Sequence, residues 1–190
     1  MTGRARLFPL TAAATAIAAC QVHQPPPPRP PPCGIVDCRP AKTLIIQQQG
    51  KGQFLMNTPA LPYVLDGAVI VLPGDDFFVT ADDRDGALVN LRRIDPPAEH
   101  APNVIHISYK QDQLTNGMFY MSLLLDSSFA RPLVYHAAAM NAARPYAPFA
   151  TSTCPVRPGV KMNETWNAPL WQLMLRDFRT AEQPGLCKIY

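Results

Sequence analysis

The sequence contains little charge and no apolar run long enough to span a membrane. Charged residues make up 16% of the 190 residues, with 17 basic and 14 acidic side chains. The basic residues are scattered, which argues against a nucleic-acid partner and against binding to lipid through a polybasic patch. The apolar segment from Leu7 to Ala19 contains Pro9 and is shorter than the roughly 20 residues of a spanning helix. A transmembrane anchor is therefore not expected.

The sequence also lacks the motifs of common active sites. It contains no Gly-x-Ser-x-Gly sequence, no glycine-rich loop spaced to cradle phosphate, and no helical histidine pair with a glutamate for zinc. We therefore predict no catalytic residue, no metal and no cofactor. The alternative hypothesis is a hydrolase whose site combines His106 or His136, each on a predicted strand, with a carboxylate distant in sequence.

The N-terminal segment has the parts of a secretory signal peptide. Arg4 and Arg6 precede the apolar segment, small residues end it, and no acidic residue occurs before Asp37. We therefore expect residues 1–19 to be removed. Without the two arginines, 15 basic residues remain against 14 acidic ones, so the mature chain is nearly neutral.

Two cleavage sites fit this signal. Ala16-Ile17-Ala18 is a small-x-small site for ordinary signal peptidase. Ile17-Ala18-Ala19-Cys20 resembles the lipobox of bacterial lipoprotein precursors. The resemblance covers only the first 20 residues. It implies that Cys20 becomes the first residue and carries fatty acids such as palmitate. It also implies that Gln21, a non-acidic residue, sorts the lipoprotein to the outer membrane, facing the periplasm or the cell surface.

The count of cysteines agrees with the lipoprotein reading. If Cys20 is acylated, the other four of the five cysteines form an even set: Cys33, Cys38, Cys154 and Cys187. A metal site would need further ligands at suitable spacing, and none is present. We therefore expect structural disulfides. Three pairings are possible, and we favour Cys33 with Cys38 and Cys154 with Cys187.

A proline-rich tether separates Cys20 from the remaining chain. Residues 25–32 contain seven prolines and Arg29. Such a run favours an extended polyproline II conformation. At about 3.1 Å per residue, residues 20–32 would hold the following domain roughly 35–40 Å from a lipid anchor. A docking motif for a proline-binding groove or the cell wall is the alternative use of this segment.

Residues 33–190 have a suitable length for one domain with a core. Short apolar or alternating segments recur about every ten residues with turn signals between them, and no long amphipathic helix separates them. This pattern predicts an all-β fold, an antiparallel β-sandwich of the immunoglobulin or a similar type, with a β-barrel as the alternative. The predicted strands are Thr43 to Gln48, Gln53 to Met56, Gly67 to Leu72, Phe77 to Ala81, Ala87 to Ile94, Val104 to Lys110, Met118 to Leu125, Leu133 to Ala139, and Leu170 to Phe178.

Several local predictions accompany this fold. Ile105, Ile107 and Tyr109 should face the core, as should Trp171, while Gln172 faces water. The alanine-rich segment Ala137 to Arg144 favours one or two helical turns. The Gly74-Asp75-Asp76 sequence predicts a loop, and Asp85-Gly86 predicts a hairpin turn rather than a calcium site.

Aromatic residues concentrate toward the C-terminus, as Tyr146, Phe149, Trp166, Trp171 and Tyr190. We expect most of them in the core, although an exposed group could bind sugars or a protein. The sequence thus predicts a membrane-anchored, non-enzymatic module that binds or assembles with another envelope protein or a glycan.

Overall fold

A computed structural model describes residues 33–50, 52–98, 101–183 and 185–188. Cys20, the predicted signal peptide and the predicted tether lie outside this range. All regular secondary structure in the described residues is β, and the paired strands are antiparallel. The strands are β1 (Cys38–Arg39), β2 (Lys42–Gln48), β3 (Gly52–Thr58), β4 (Leu61–Pro62), β5 (Val64–Leu65), β6 (Ala68–Val71), β7 (Asp75–Arg84), β8 (Ala87–Ile94), β9 (Val104–Gln113), β10 (Phe119–Ser127), β11 (Leu133–Asn141), β12 (Arg144–Thr151), β13 (Met162–Trp166) and β14 (Leu170–Thr180).

Ten of these strands form the sandwich. One layer has the order β8, β7, β9, β10, β13, and the other contains β14 between β11 and β6, with β12 and β5 outermost. The layers join where Arg179 of β14 pairs with Ala87 of β8. The path is open from β12 to β13, so the β-sandwich prediction is confirmed and the barrel alternative is wrong. None of the described residues forms a helix long and apolar enough to cross a membrane.

The core lies between the two layers. Ile105, Ile107 and Tyr109 of β9 are buried, as the alternating pattern predicts. The hydroxyl of Tyr109 crosses the core and donates a hydrogen bond to the carbonyl oxygen of Leu170 at 3.0 Å. Burial raises the pKa of Tyr109 well above its ordinary value. This bond satisfies a polar group that would otherwise be buried alone.

The helix prediction for Ala137 to Arg144 is wrong. This segment ends β11, turns, and begins β12. β11 pairs with β12 on one side and with β14 on the other, and Ala137 and Ala139 are buried in the core. Hydrogen bonding to two flanking strands and burial of Ala137 and Ala139 thus outweigh the helix propensity of alanine.

The predicted orientation of Trp171 and Gln172 is also wrong. Met140 pairs with Gln172 and Asn141 with Leu170, so Trp171 is the extra residue of a β-bulge. The bulge shifts the phase of β14. Gln172 is consequently buried, and the partly buried Trp171 packs outside the main core.

The β2–β3 hairpin packs on the main body through a small apolar cluster. Leu44 and Ile46 of β2 lie against Leu72, Ala142 and Trp171. The primary amide of Gln111 in β9 fastens the hairpin. Its Oε1 accepts from the Gln47 N–H at 2.7 Å, and its Nε2 donates to the Gln47 carbonyl oxygen at 2.9 Å. The Gln111 side chain thus makes the hydrogen bonds to the main chain of β2 that a neighbouring strand would otherwise make. β3 is the outer strand of the hairpin.

Candidate functional site

The described cysteines form the two predicted disulfides. Cys33 is bonded to Cys38, and Cys154 is bonded to Cys187. The first closes a short loop just before β1. The second ties the C-terminal segment to the body, where Thr153 and Lys188 exchange backbone hydrogen bonds. Cys33 and Cys187 are exposed, whereas Cys38 and Cys154 are partly buried.

A buried ion pair fixes the chain where it enters the domain. Nη1 of Arg39 lies 2.9 Å from Oδ2 of Asp75, and both side chains are buried. Nη2 of Arg39 donates to the Ile70 carbonyl oxygen at 2.7 Å, and the guanidinium stacks on the ring of Tyr63 at 4.4 Å. Asp75 also accepts from Lys42 Nζ at 3.3 Å. Because β7 begins at Asp75, the loop predicted at Gly74-Asp75-Asp76 is confirmed at Gly74 and wrong at Asp75 and Asp76.

His106 has an acidic partner on the outer face of its sheet. Its Nε2 lies 2.8 Å from Oδ1 of Asp76 in β7, and its ring stacks on Phe78 with centroids 4.5 Å apart. Asp126 of β10 is the cross-strand neighbour of His106. A pocket of about 410 Å³ lies beside the histidine. The sequence placed His106 on a strand but gave no sign that Asp76 would be its partner.

No activated nucleophile accompanies this histidine in the described chain. Ser127 and Ser128 line the same pocket. However, Oγ of Ser128 donates to the Ala101 carbonyl oxygen at 2.7 Å, and Oγ of Ser127 accepts from the Phe129 N–H at 3.2 Å. A serine hydrolase needs the hydroxyl to be hydrogen-bonded to its base. His106 and Asp76 therefore form a pair without the third member.

His136 forms a second, separate pair on the other layer. Its Nδ1 lies 3.0 Å from Oδ2 of Asp177. The adjoining groove of about 460 Å³ also contains Phe149, Met174 and Arg176, and its lining has no serine, threonine or cysteine. Among the residues that the structure describes, no group of three or more histidine, cysteine, aspartate or glutamate side chains is placed to hold a metal. Because His106 of β9 and His136 of β11 lie on different layers, the fold does not bring them together in one site.

Glu164 is a buried carboxyl that the sequence did not indicate. It lies in β13 and accepts hydrogen bonds at Oε1 from the Tyr135 hydroxyl at 3.0 Å and from the Cys154 N–H at 2.5 Å. Its Oε2 is buried and has no hydrogen-bond partner among the described residues. Burial raises the pKa of Glu164, and the two hydrogen bonds oppose this rise. The bond from the Cys154 N–H joins the disulfide-bonded segment to β13.

The C-terminal aromatic residues divide between the core and the surface. Trp166 is partly buried against the main core, Trp171 is partly buried against the smaller cluster under the hairpin, and Tyr190 lies outside the described residues. Tyr146 is 94% exposed and Phe149 is also exposed, so the burial expected for these two is wrong. Both belong to the edge strand β12, whose Pro145 and Pro148 have no amide hydrogen to offer to a further strand. This edge is protected against strand addition.

The edge of β3 is different. Its seven residues, Gly52–Thr58, include neither a charged residue nor a proline, and among the described strands it pairs only with β2. Ile45 of β2 and Leu55 of β3 are paired on the outward face, where they are 58% and 61% exposed. We call this strand with its outward pair Ile45–Leu55 the hairpin edge. It lacks the features by which proteins usually block an exposed strand.

Three places on the described chain thus offer candidate functional groups: the two histidine–aspartate pairs and the hairpin edge. Comparison with protein-family models finds none that matches the chain. No curated protein and no solved structure matches it either.

Proposed function

We propose that the protein is an outer-membrane lipoprotein whose β-sandwich binds a protein partner without catalysis. In this proposal, fatty acids on Cys20 hold the chain at the membrane, and residues 20–32 act as a spacer. Two or more acyl chains give stable anchoring, since each buried methylene contributes about 0.8 kcal/mol. The even set of disulfide-bonded cysteines supports an oxidising compartment for the domain. The Arg39–Asp75 pair supports a fixed attachment point at the domain end of the spacer.

The hairpin edge is the observation that carries the binding role. Water-exposed β-strand edges recognise extended segments of other chains through main-chain hydrogen bonds, and flanking side chains provide selectivity. The exposed pair Ile45–Leu55 adds apolar contact area beside this edge. A glycan partner is less well supported, because the most exposed aromatic residue, Tyr146, lies on the proline-containing strand β12 rather than in a cleft.

The experiment is site-specific photo-crosslinking of the full chain in intact cells. A photoreactive amino acid at position 55 should capture a protein neighbour. The same amino acid at Val160, which is 53% exposed in a loop away from the hairpin, is the matched control. Capture at both positions alike, or at neither, would contradict a binding site at the hairpin edge.

The anchor is tested in the same cells. Cys20→Ser removes the acceptor for fatty acid, so the variant should leave the membrane fraction while the parent chain stays in it. Equal membrane retention of the two chains would remove the lipid anchor from the proposal.

An envelope hydrolase is the second candidate, and the 2.8 Å contact between His106 and Asp76 is the observation in its favour. Because the pocket serines are hydrogen-bonded elsewhere, we expect no covalent labelling of the purified protein by a fluorophosphonate. Labelling of Ser127 or Ser128 that is lost in His106→Ala would support the hydrolase instead.

A further inference from the structure

The hairpin edge has a sequence that reads alike in both directions. Leu55 is at the centre of β3, Phe54 and Met56 flank it, and the amides Gln53 and Asn57 follow. In an antiparallel pair of two identical strands, residues at equal distances from the centre lie opposite one another. Leu55 would therefore face its own copy, Phe54 would face Met56, and Gln53 would face Asn57. At these five positions each residue meets a side chain of the same chemical class, and at the strand ends Gly52 would face Thr58.

The faces of the hairpin also match across such a pair. On the outward face, Ile45 and Leu55 would continue into the same two residues of the second copy and form one apolar row across four strands. Polar side chains close this face at both ends: Gln47 Nε2 donates to Gln53 Oε1 at 3.4 Å, and the Thr43 hydroxyl donates to Asn57 Oδ1 at 2.8 Å. An apolar centre bounded by amides is thus repeated by the two-fold axis.

The inward face shows where the apolar layer stops. Leu44 and Ile46 of β2 are buried, whereas Met56 and Phe54, their partners in β3, are only partly buried. The layer therefore ends at β3 with apolar surface still exposed to water. A second copy of β3 would cover it, because Phe54 of one chain and Met56 of the other would lie side by side on this face.

The absence of charge on β3 and its position on the outside of the hairpin allow a second copy to approach it. β3 carries no ionisable side chain, so two copies bring no like charges together along the strand. The body of the domain lies on the side of β2, which contacts β14 and is bonded to Gln111. The outer side of β3 is consequently the one that a neighbour can reach.

We infer that the partner of the hairpin edge is a second copy of this chain. Two β3 strands pair antiparallel about a two-fold axis at Leu55 and join two hairpins into a four-stranded sheet. This inference rests on the proposed binding role of the hairpin edge and names its partner. A single strand pair buries less area than a standard protein interface and is therefore weak on its own. Confinement of both copies to one membrane raises their effective concentration and with it the fraction of paired chains.

Cysteine crosslinking of the full chain in its membrane tests the register. Directly opposed residues of an antiparallel pair have Cα atoms about 4.5–5.5 Å apart, within the roughly 4.4–6.8 Å range of disulfides. Leu55→Cys should therefore give a dimer on a non-reducing gel. Ile45→Cys is the matched control, since it is equally exposed on the same face but would lie three strand spacings, about 14 Å, from its copy. A dimer with both variants, or with neither, would overturn the inference.

Charge exchange tests the same contact without a covalent bond. Leu55→Lys and Leu55→Glu would each place like charges opposite one another, so each variant alone should lose chemical crosslinking between copies. Coexpression of the two with different tags should restore crosslinking between unlike tags. Failure of this rescue, with the parent chain crosslinked normally, would overturn pairing at Leu55.

The outcomes also separate this inference from the proposed function. If photo-crosslinking at position 55 captures a different protein while Leu55→Cys stays monomeric, the hairpin edge binds another partner and only the inference is wrong. If position 55 captures the same chain and Leu55→Cys dimerises, both stand.

Discussion

At the residue scale, the buried Arg39–Asp75 ion pair and the buried Glu164 carboxyl have no sequence signature. Arg39 and Asp75 are separated by strands β2 to β6, and Glu164 is within an ordinary Asn-Glu-Thr sequence. Their burial arises only when distant strands meet. Periodicity did identify Ile105, Ile107 and Tyr109, because alternation along one strand is local information.

Glu164 predicts a pH dependence of stability. Burial raises its pKa in the folded state above the ordinary 4.5, so just above pH 4.5 the folded state binds a proton that the unfolded state has lost. The contribution of this residue to the free energy of unfolding therefore falls as pH rises through this window. Glu164→Gln does not titrate and should remove that fall in urea unfolding measured from pH 4 to 7. Glu182→Gln, at an exposed site, is the control and should behave as the parent chain.

Loss of the Arg39–Asp75 ion pair should lower the free energy of unfolding strongly. Asp75→Asn leaves the buried guanidinium without its counter-charge, which should lower the free energy of unfolding by about 3–5 kcal/mol. Asp76→Asn, at the next and exposed position, should cost less than about 1 kcal/mol. Chemical denaturation of both variants makes the comparison, and similar losses would show that the buried pair is not what fixes this region.

At the element scale, regular strands could be predicted and irregular ones could not. β2, β8 and β9 lie close to their predicted ranges because each combines β-forming residues with turn signals at its ends. β12 was missed because its two prolines argue against a strand, and it is tolerated because only one of its edges is paired. The bulge at Trp171 was missed because register belongs to a strand pair rather than to one strand.

The two disulfides should differ in their effect on stability. Cys154 and Cys187 are 33 residues apart and Cys33 and Cys38 only five, so the longer loop restricts the unfolded chain more. Loop-closure entropy predicts losses of about 4 kcal/mol for Cys154→Ala with Cys187→Ala and about 2 kcal/mol for Cys33→Ala with Cys38→Ala. Thermal or urea unfolding of the two double variants checks the order, and a reversed order would contradict the entropic argument.

At the scale of the whole molecule, the sequence predicted the architecture but not the exposed hairpin edge. Cysteine parity, strand spacing and the absence of long helices were enough for a disulfide-bonded β-sandwich. The hairpin edge was not predictable, because the exposure of Ile45 and Leu55 depends on which side of β2 meets the body. An apolar residue in a strand ordinarily indicates a core position.

The proposed membrane attachment depends on where the mature chain begins and on what its first residue carries. The direct measurement is the intact mass of the protein purified from membranes, with fragmentation of its N-terminal peptide. We predict a chain that starts at Cys20 and bears fatty acyl groups on that residue. A chain that starts at another residue, or a Cys20 without fatty acid, would contradict the account.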